Sequence, residues 1–356
     1  MRIKIWFSEW PLFLVLALLL VGGLLNQWSA GGSYYLKRQA LFMGVGLMVF
    51  AGLSYLDYRR YLTTHWVLGL YLGLVGVLVL MALGGKRWLV LGPVSFQPSE
   101  MAKPVLIILL AYLFSQQERP YLSWPLFLGA NLLILLPVVL IAVTDLDQAF
   151  LVLLVAENVI FLAGLSRRLW VGLLVAGAIV SFLVGPPLWN HLKPYQKARL
   201  LAFLQPGKTQ KRWSYQTRQA LIAVGSGGLW GQGFRRGLSS RLHYLPAKHT
   251  DLAFAVWAEE WGFVGSSIVV VLYGLLVFYG LRAAYLARDL QGRFMAFGCS
   301  VALFWQVFIN LGGVLRILPT ASLPLPFLSY GGSSVVVNMI MLGIIASVLR
   351  RRFSFL

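Results

Sequence analysis

Residues 233–262, GFRRGLSSRLHYLPAKHTDLAFAVWAEEWG, gather Arg235, Arg236, Arg241, Lys248 and His249 around one carboxylate, Asp251, in a chain with only eleven acids. Cations grouped in this way suit a lipid-linked phosphate, and they make Asp251 a candidate catalytic residue. The competing role is plain helix capping. Thr250 could cap a helix that begins at Asp251, and an acid in a first turn is worth about 0.3 to 1 kcal/mol at a surface. On residue types alone the two roles weigh evenly. Asp251, Phe254, Ala255 and Ala258 share one helical face, with Glu259 a step further, and the small residues leave room for a ligand or a packed helix.

The other acids divide into two groups. Asp57, Glu118 and Asp289 stand beside Arg59, Arg119 and Arg288, which reads as solvated ion pairs between neighbours. Glu100 and Lys103, three apart in FQPSEMAKP, fall on one helix face where an apolar run begins. Ser99 could cap that helix with Glu100 in its first turn, yet a buried pair entering a span is more often a site than a staple. Asp145 and Asp147 flank a turn, where at least one should cap a helix. Glu157 lies inside an apolar run beside Asn158 and calls for a buried Arg or Lys.

The rest of the chain must hold these groups in place. It has 356 residues, of which 59% are hydrophobic and 12% charged. Its mean hydropathy of +0.77 places it in a bilayer. About ten apolar runs are long enough to cross one, near 11–25, 39–55, 66–83, 101–114, 125–143, 148–164, 169–188, 264–285, 295–315 and 335–349. The fourth and sixth are short. The first follows Arg2 and Lys4 and reads as an uncleaved signal anchor. The expected fold is therefore an all-α polytopic integral membrane protein of about ten transmembrane helices, a single domain over 1–356, with one large extracytoplasmic loop at about 189–263 between spans 7 and 8.

Thirty Lys and Arg give a net charge of +19, but they sit in short loops between apolar runs, as topogenic signals and lipid-phosphate contacts do. Membrane lipids rather than nucleic acid are the expected partners. Arg2, Lys4, Arg59, Arg60, Arg119, Arg167, Arg168, Arg288, Arg293 and 350–352 outweigh Lys37, Arg38, Lys86, Arg87 and Arg316. The first set is read as cytoplasmic, which puts both termini inside and Asp251 outside. The lone Cys299 excludes a disulfide framework. No internal repeat is visible, which weakens a transporter built from two related halves.

Within the outer segment, Lys193, Lys197 and Arg199 precede an amphipathic stretch suited to the membrane interface. The glycines of 215–233, YQTRQALIAVGSGGLWGQG, could bring backbone N–H groups to a phosphate. They do not form a dinucleotide motif, because Trp230 or Arg236 stands where the third glycine of GxGxxG belongs.

Four stretches, KRWLVLGPVSFQPSEMAK (86–103), 215–233, LPAKHTDLAFAVWAEEWG (245–262) and LPLPFLSYGGSS (323–334), resemble in order and spacing the SEDS family of shape, elongation, division and sporulation proteins. Ala258, Glu259, Glu260 and LPLPF look more like its rod-shape branch than its division branch. Ala321-Ser322 and 145–149 depart from the family's Thr-Gly and DLGTA, which bears on loop shape only. The resemblance implies a peptidoglycan glycosyltransferase that polymerises lipid II, with undecaprenyl diphosphate as leaving group. It implies Asp251 as catalytic residue and, in support, Glu100, Lys103, Arg199, Gln216, Arg241, Lys248, His249 and Ser329. It also implies a class B penicillin-binding protein and other elongation-complex membrane proteins as partners, in a bacterial cytoplasmic membrane. A divalent cation, Mg or Mn, is an alternative to the basic residues for neutralising the diphosphate, with no organic cofactor expected. The rival functions are a lipid II flippase, which Glu157 would favour, and a non-catalytic scaffold.

Overall fold

A computed structural model describes residues 10–91, 94–117, 121–165, 211–238 and 248–352, with isolated positions at 171–172, 175, 197, 201 and 203. The expected seventh span, Arg199, Arg241 and the pair Glu118 and Arg119 lie outside the described residues. The elements in order are α1 (Trp10–Tyr55), α2 (Tyr58–Tyr61), α3 (Thr64–Leu83), β1 (Leu89–Leu91), β2 (Val94–Phe96), α4 (Pro98–Ser115) and α5 (Trp124–Thr144). They continue with α6 (Leu146–Leu162), α7 (Lys211–Ser226), α8 (Ala253–Leu286), α9 (Leu290–Val314) and α10 (Gly332–Arg351). The chain is an all-α multi-pass membrane protein: α1, α3, α4, α5, α8, α9 and α10 are each long and apolar enough to cross a bilayer.

Burial sorts these helices into layers. The spanning windows of α4, α9 and α10 are 72%, 72% and 78% buried, against 28% and 33% for α3 and α5. The first three therefore form the centre and the last two face lipid. α10 packs along α1, while α9 lies against α8, α4 and α6.

Two helices differ from expectation in the same way. The runs at 11–25 and 39–55 are parts of one 46-residue helix, α1, interrupted at Gly32 (φ 72°) rather than by a loop. The run at 264–285 is the second part of α8, which starts at Ala253 and breaks at Gly262 (φ 64°). Both breaks need a left-handed backbone that glycine adopts without a Cβ penalty. Of the two short runs, α4 extends back to Pro98 to reach 18 residues and α6 has 17. A β1–β2 hairpin, pairing Leu89 with Phe96, delivers the chain to α4.

At the end of the bundle opposite Gly32, ion pairs cross between elements. Arg59 meets Asp289 at 2.6 Å and Arg351 meets Asp57 at 3.1 Å. The expected pairing of Asp57 with Arg59 and of Asp289 with Arg288 is thus replaced, because α2 brings Arg59 to the start of α9. Tyr58 adds a hydrogen bond to the same Asp289 carboxylate at 2.7 Å.

Candidate active site

Asp251 lies in a turn over 248–252 that leads into α8. The helix begins at Ala253, with Leu252 as N-cap and no side-chain cap, so Thr250 does not make the expected cap. Side chains from distant helices hold the turn by its carbonyls. Asn310 Nδ2 of α9 donates to the Asp251 carbonyl at 3.0 Å and Gln27 Nε2 of α1 donates to that of His249 at 3.2 Å. Asn26 Nδ2 donates to the Ala253 carbonyl at 3.0 Å, and the Tyr330 N–H donates to His249 O at 2.7 Å. Carbonyls without helical partners are satisfied here by buried amides, which fixes the position of Asp251 from two sides.

The same α9 amides lead to the second charged group. Asn310 also donates to Leu323 O at 2.7 Å, and one turn earlier Gln306 Nε2 donates to Pro324 O at 2.8 Å. The Gln306 Oε1 accepts from Lys103 Nζ at 2.9 Å, and Lys103 reaches Glu100 Oε2 at 2.7 Å. Lys103 is 1% and Glu100 2% exposed. A buried ammonium is tolerable only with such partners. The four-residue reach from Gln306 to Asn310 therefore joins Lys103 and Glu100 to the Asp251 turn through the LPLPF segment. α4 starts at Pro98 with Gln97 as N-cap, so Ser99 does not cap it; Gln97 Nε2 instead bonds Asp145 Oδ2 at 3.2 Å. Asp145 caps α6 through the Gln148 N–H, as expected, and pairs with Arg87 at 3.3 Å.

Lys248 is buried, and that burial lowers its pKa while the Glu260 carboxylate opposes the shift. His249 is held below its usual range by burial and by the charge of Lys248, and its ring packs on Tyr35 with centroids 4.3 Å apart. Ser329 is buried, and its hydroxyl accepts from Leu325 N at 3.0 Å, closing the turn of LPLPFLS rather than facing open space. Gln216 lies on α7, and none of the hydrogen bonds among the described residues joins it to this cluster. Glu157 is half-buried on α6, and among the described residues no cation pairs with it.

The glycine stretch has another use than phosphate binding. A Cβ at Gly227 would strike the Ala258 carbonyl, and one at Gly231 the Glu260 carbonyl. Gln232 and Gly233 donate to the Glu259 and Glu260 carbonyls at 3.0 Å each, and Phe263 donates to Gly228 O at 2.8 Å. The glycines thus let a backbone strand lie against the break in α8 and satisfy its open carbonyls. Among the described residues no three of His, Cys, Asp and Glu converge to hold a metal.

Residues that the sequence reading passed over are the amides Asn26, Gln27, Gln39, Gln306 and Asn310, all buried. Their signal was their polarity within apolar helices, where amides serve as interhelical hydrogen-bond donors.

Residues 6–353 match the family described as cell cycle protein, FtsW/RodA/SpoVE. The chain belongs to this family. Among curated relatives of this FtsW/RodA/SpoVE member, the peptidoglycan glycosyltransferase MrdB of Escherichia coli K12 is 38% identical over 352 residues, covering 95% of this chain and 92% of the relative. The probable peptidoglycan glycosyltransferase FtsW of Geobacter sp. strain M18 is 34% identical, covering 90% and 88%. Among solved structures, a chain from a peptidoglycan synthase complex that coordinates polymerization and crosslinking superposes with TM-score 0.82 at 33% identity. The rod shape determining protein RodA of Thermus thermophilus does so with TM-score 0.71 at 31% identity. Each comparison covers 97% of this chain and 98% of the other.

Proposed function

We propose that this FtsW/RodA/SpoVE member is a peptidoglycan glycosyltransferase that polymerises lipid II into glycan strands during cell elongation. The observation that carries the reading is the clamp on the Asp251 turn, fixed by Asn310 and Gln27 and joined through Gln306 to the Lys103–Glu100 pair. Asp251 acts as general base. It takes the proton of the acceptor sugar hydroxyl as that oxygen attacks the anomeric carbon of the donor. The bond to undecaprenyl diphosphate breaks with its electron pair going to the phosphate oxygen, and a single base without a covalent intermediate gives inversion. Lys103 and Lys248 neutralise the departing diphosphate, which needs charge more than a proton.

A cavity of about 600 Å³ beside α8, lined by Val224, Phe254, Ala258, Phe263, Ser267 and Val270, is assigned to the polyprenyl chain. It suits that occupant because Phe254 and Ala258 belong to the first turns of α8, directly after the Asp251 turn, and Val224, Phe263 and Val270 make the lining apolar. The reaction takes place on the extracytoplasmic face of the cytoplasmic membrane, with both termini inside; the bias of Lys and Arg in the short loops supports this orientation. The partner is a class B penicillin-binding protein, supported by the likeness to a synthase complex that couples polymerization to crosslinking.

The test uses purified protein with that partner, fluorescent lipid II and a β-lactam to silence crosslinking. Glycan ladders are expected. Their absence, with lipid II crossing proteoliposome membranes, would favour the flippase.

A further inference from the structure

The ring of Tyr35 sits where three segments of the chain meet. It follows the Gly32 break of α1 by three residues, and a Cβ at Gly31 would fall 2.5 Å from it, so the backbone just before the break supports the ring from behind. In front stands His249 of the Asp251 turn, with ring centroids 4.3 Å apart and planes tilted by 31°. Tyr330, which ends the LPLPFLSY segment, meets Tyr35 edge-on at 4.9 Å and 85° and meets His249 at 6.5 Å. Every pair of the three rings is therefore in contact, and all three residues are half-buried.

Backbone contacts tie the same three segments together. Tyr330 N–H donates to His249 O at 2.7 Å, and Gln39 of α1, four residues after Tyr35, donates to Ser329 O at 3.1 Å. Buried amides thus hold the carbonyls of the turn, whereas Tyr35 holds one of its side chains. We propose that Tyr35 is a positioning residue for glycosyl transfer: wedged between Gly31, His249 and Tyr330, its ring fixes the His249 end of the turn and so aims the Asp251 carboxylate two residues on. A small side chain at this place leaves a gap into which His249 can swing, and a misplacement of about 1 Å at a reacting group can cost about 100-fold in rate. The contacts are made by the ring, so its bulk and flatness carry the effect. The inference rests on the glycosyltransferase reading, in which Asp251 is the base.

The test measures lipid II polymerisation by the chain with its partner under a β-lactam, with rates expressed per folded protein. Tyr35→Phe is expected to match the native rate within about twofold, and Tyr35→Ala to lower kcat by about tenfold while KM stays within about twofold. Full activity in Tyr35→Ala, a loss confined to KM, or a Tyr35→Phe as slow as Tyr35→Ala overturns the proposal. The His249→Ala background has already lost the ring that Tyr35 holds, so adding Tyr35→Ala there is expected to cost less than about twofold. A ring that merely supported the fold would instead give multiplied losses, and multiplied losses overturn the proposal. Should Tyr35→Ala not fold, Tyr35→Leu takes its place and is judged by the same outcomes. Absence of ladders from the unaltered protein would instead contradict the glycosyltransferase reading.

Discussion

Lys103 is the residue whose surroundings most constrain this protein. Its ammonium is buried at 1% exposure between Glu100 and Gln306. Removing one member of such a pair leaves a buried charge without compensation, which costs about 3 to 5 kcal/mol. Glu100→Gln is therefore expected to lower the thermal midpoint sharply, and Glu100→Gln with Lys103→Met to regain much of it; differential scanning fluorimetry in detergent measures both. His249 gives a pH signature. Burial and Lys248 hold its pKa below the ordinary 6.5, so between the two values the unfolded chain binds more protons than the folded one. Stability is complete above about 6.5 and falls as pH drops through it. Thermal midpoints at pH 7.5 and 5.5 should differ more for the native protein than for His249→Gln. Asp251, Glu100 and Lys103 stood out in sequence because charge is rare and costly in an apolar chain. The amides that hold them did not, since a neutral Asn or Gln is common. Arg59 was matched to the wrong acid because its partner, Asp289, lies 230 positions away.

At the scale of elements, α8 positions the site. Its break at Gly262 turns the residues after Asp251 out of line with the spanning part, and the backbone of 227–233 covers the break. The sequence placed a helix from Asp251 and a span from Val264, close to the two parts of α8, but not their continuity, because Glu259 and Glu260 interrupt the apolar run with two acids that are in fact buried. The glycines of 225–233 were legible as sites of close approach, yet only the fold revealed α8 rather than a phosphate as what approaches. The cavity along α8 yields a further prediction. Ser267→Trp fills it and is expected to raise KM for lipid II by about tenfold with a smaller change in kcat. An analogue with a short prenyl chain should be affected less. Steady-state polymerisation with both substrates measures the difference.

For the whole molecule, the layered bundle has one end that holds the Asp251 cluster and an opposite end latched by Arg59–Asp289 and Arg351–Asp57. The type of the spans was legible because a bilayer requires each to be long and apolar, but their division was not: ten runs were expected, and among the described residues seven helices qualify, one of them α1, which takes in two of the runs. Their centre and periphery were not legible either, since α3 and α10 are similarly apolar and differ only in what packs around them. Orientation can be measured directly. Lys86 and Arg60 are exposed at the two ends, and the native Cys299 is buried and silent. A cysteine at Lys86 is expected to react with an impermeant maleimide in intact cells, and one at Arg60 only after lysis. The most direct test of the account compares glycan ladders from the native protein and Asp251→Asn, each with its partner and each shown to be folded. Loss of polymer by about 100-fold or more in Asp251→Asn is predicted, in keeping with removal of a general base. Equal ladders from the two proteins would contradict it and leave Asp251 a residue of the turn alone.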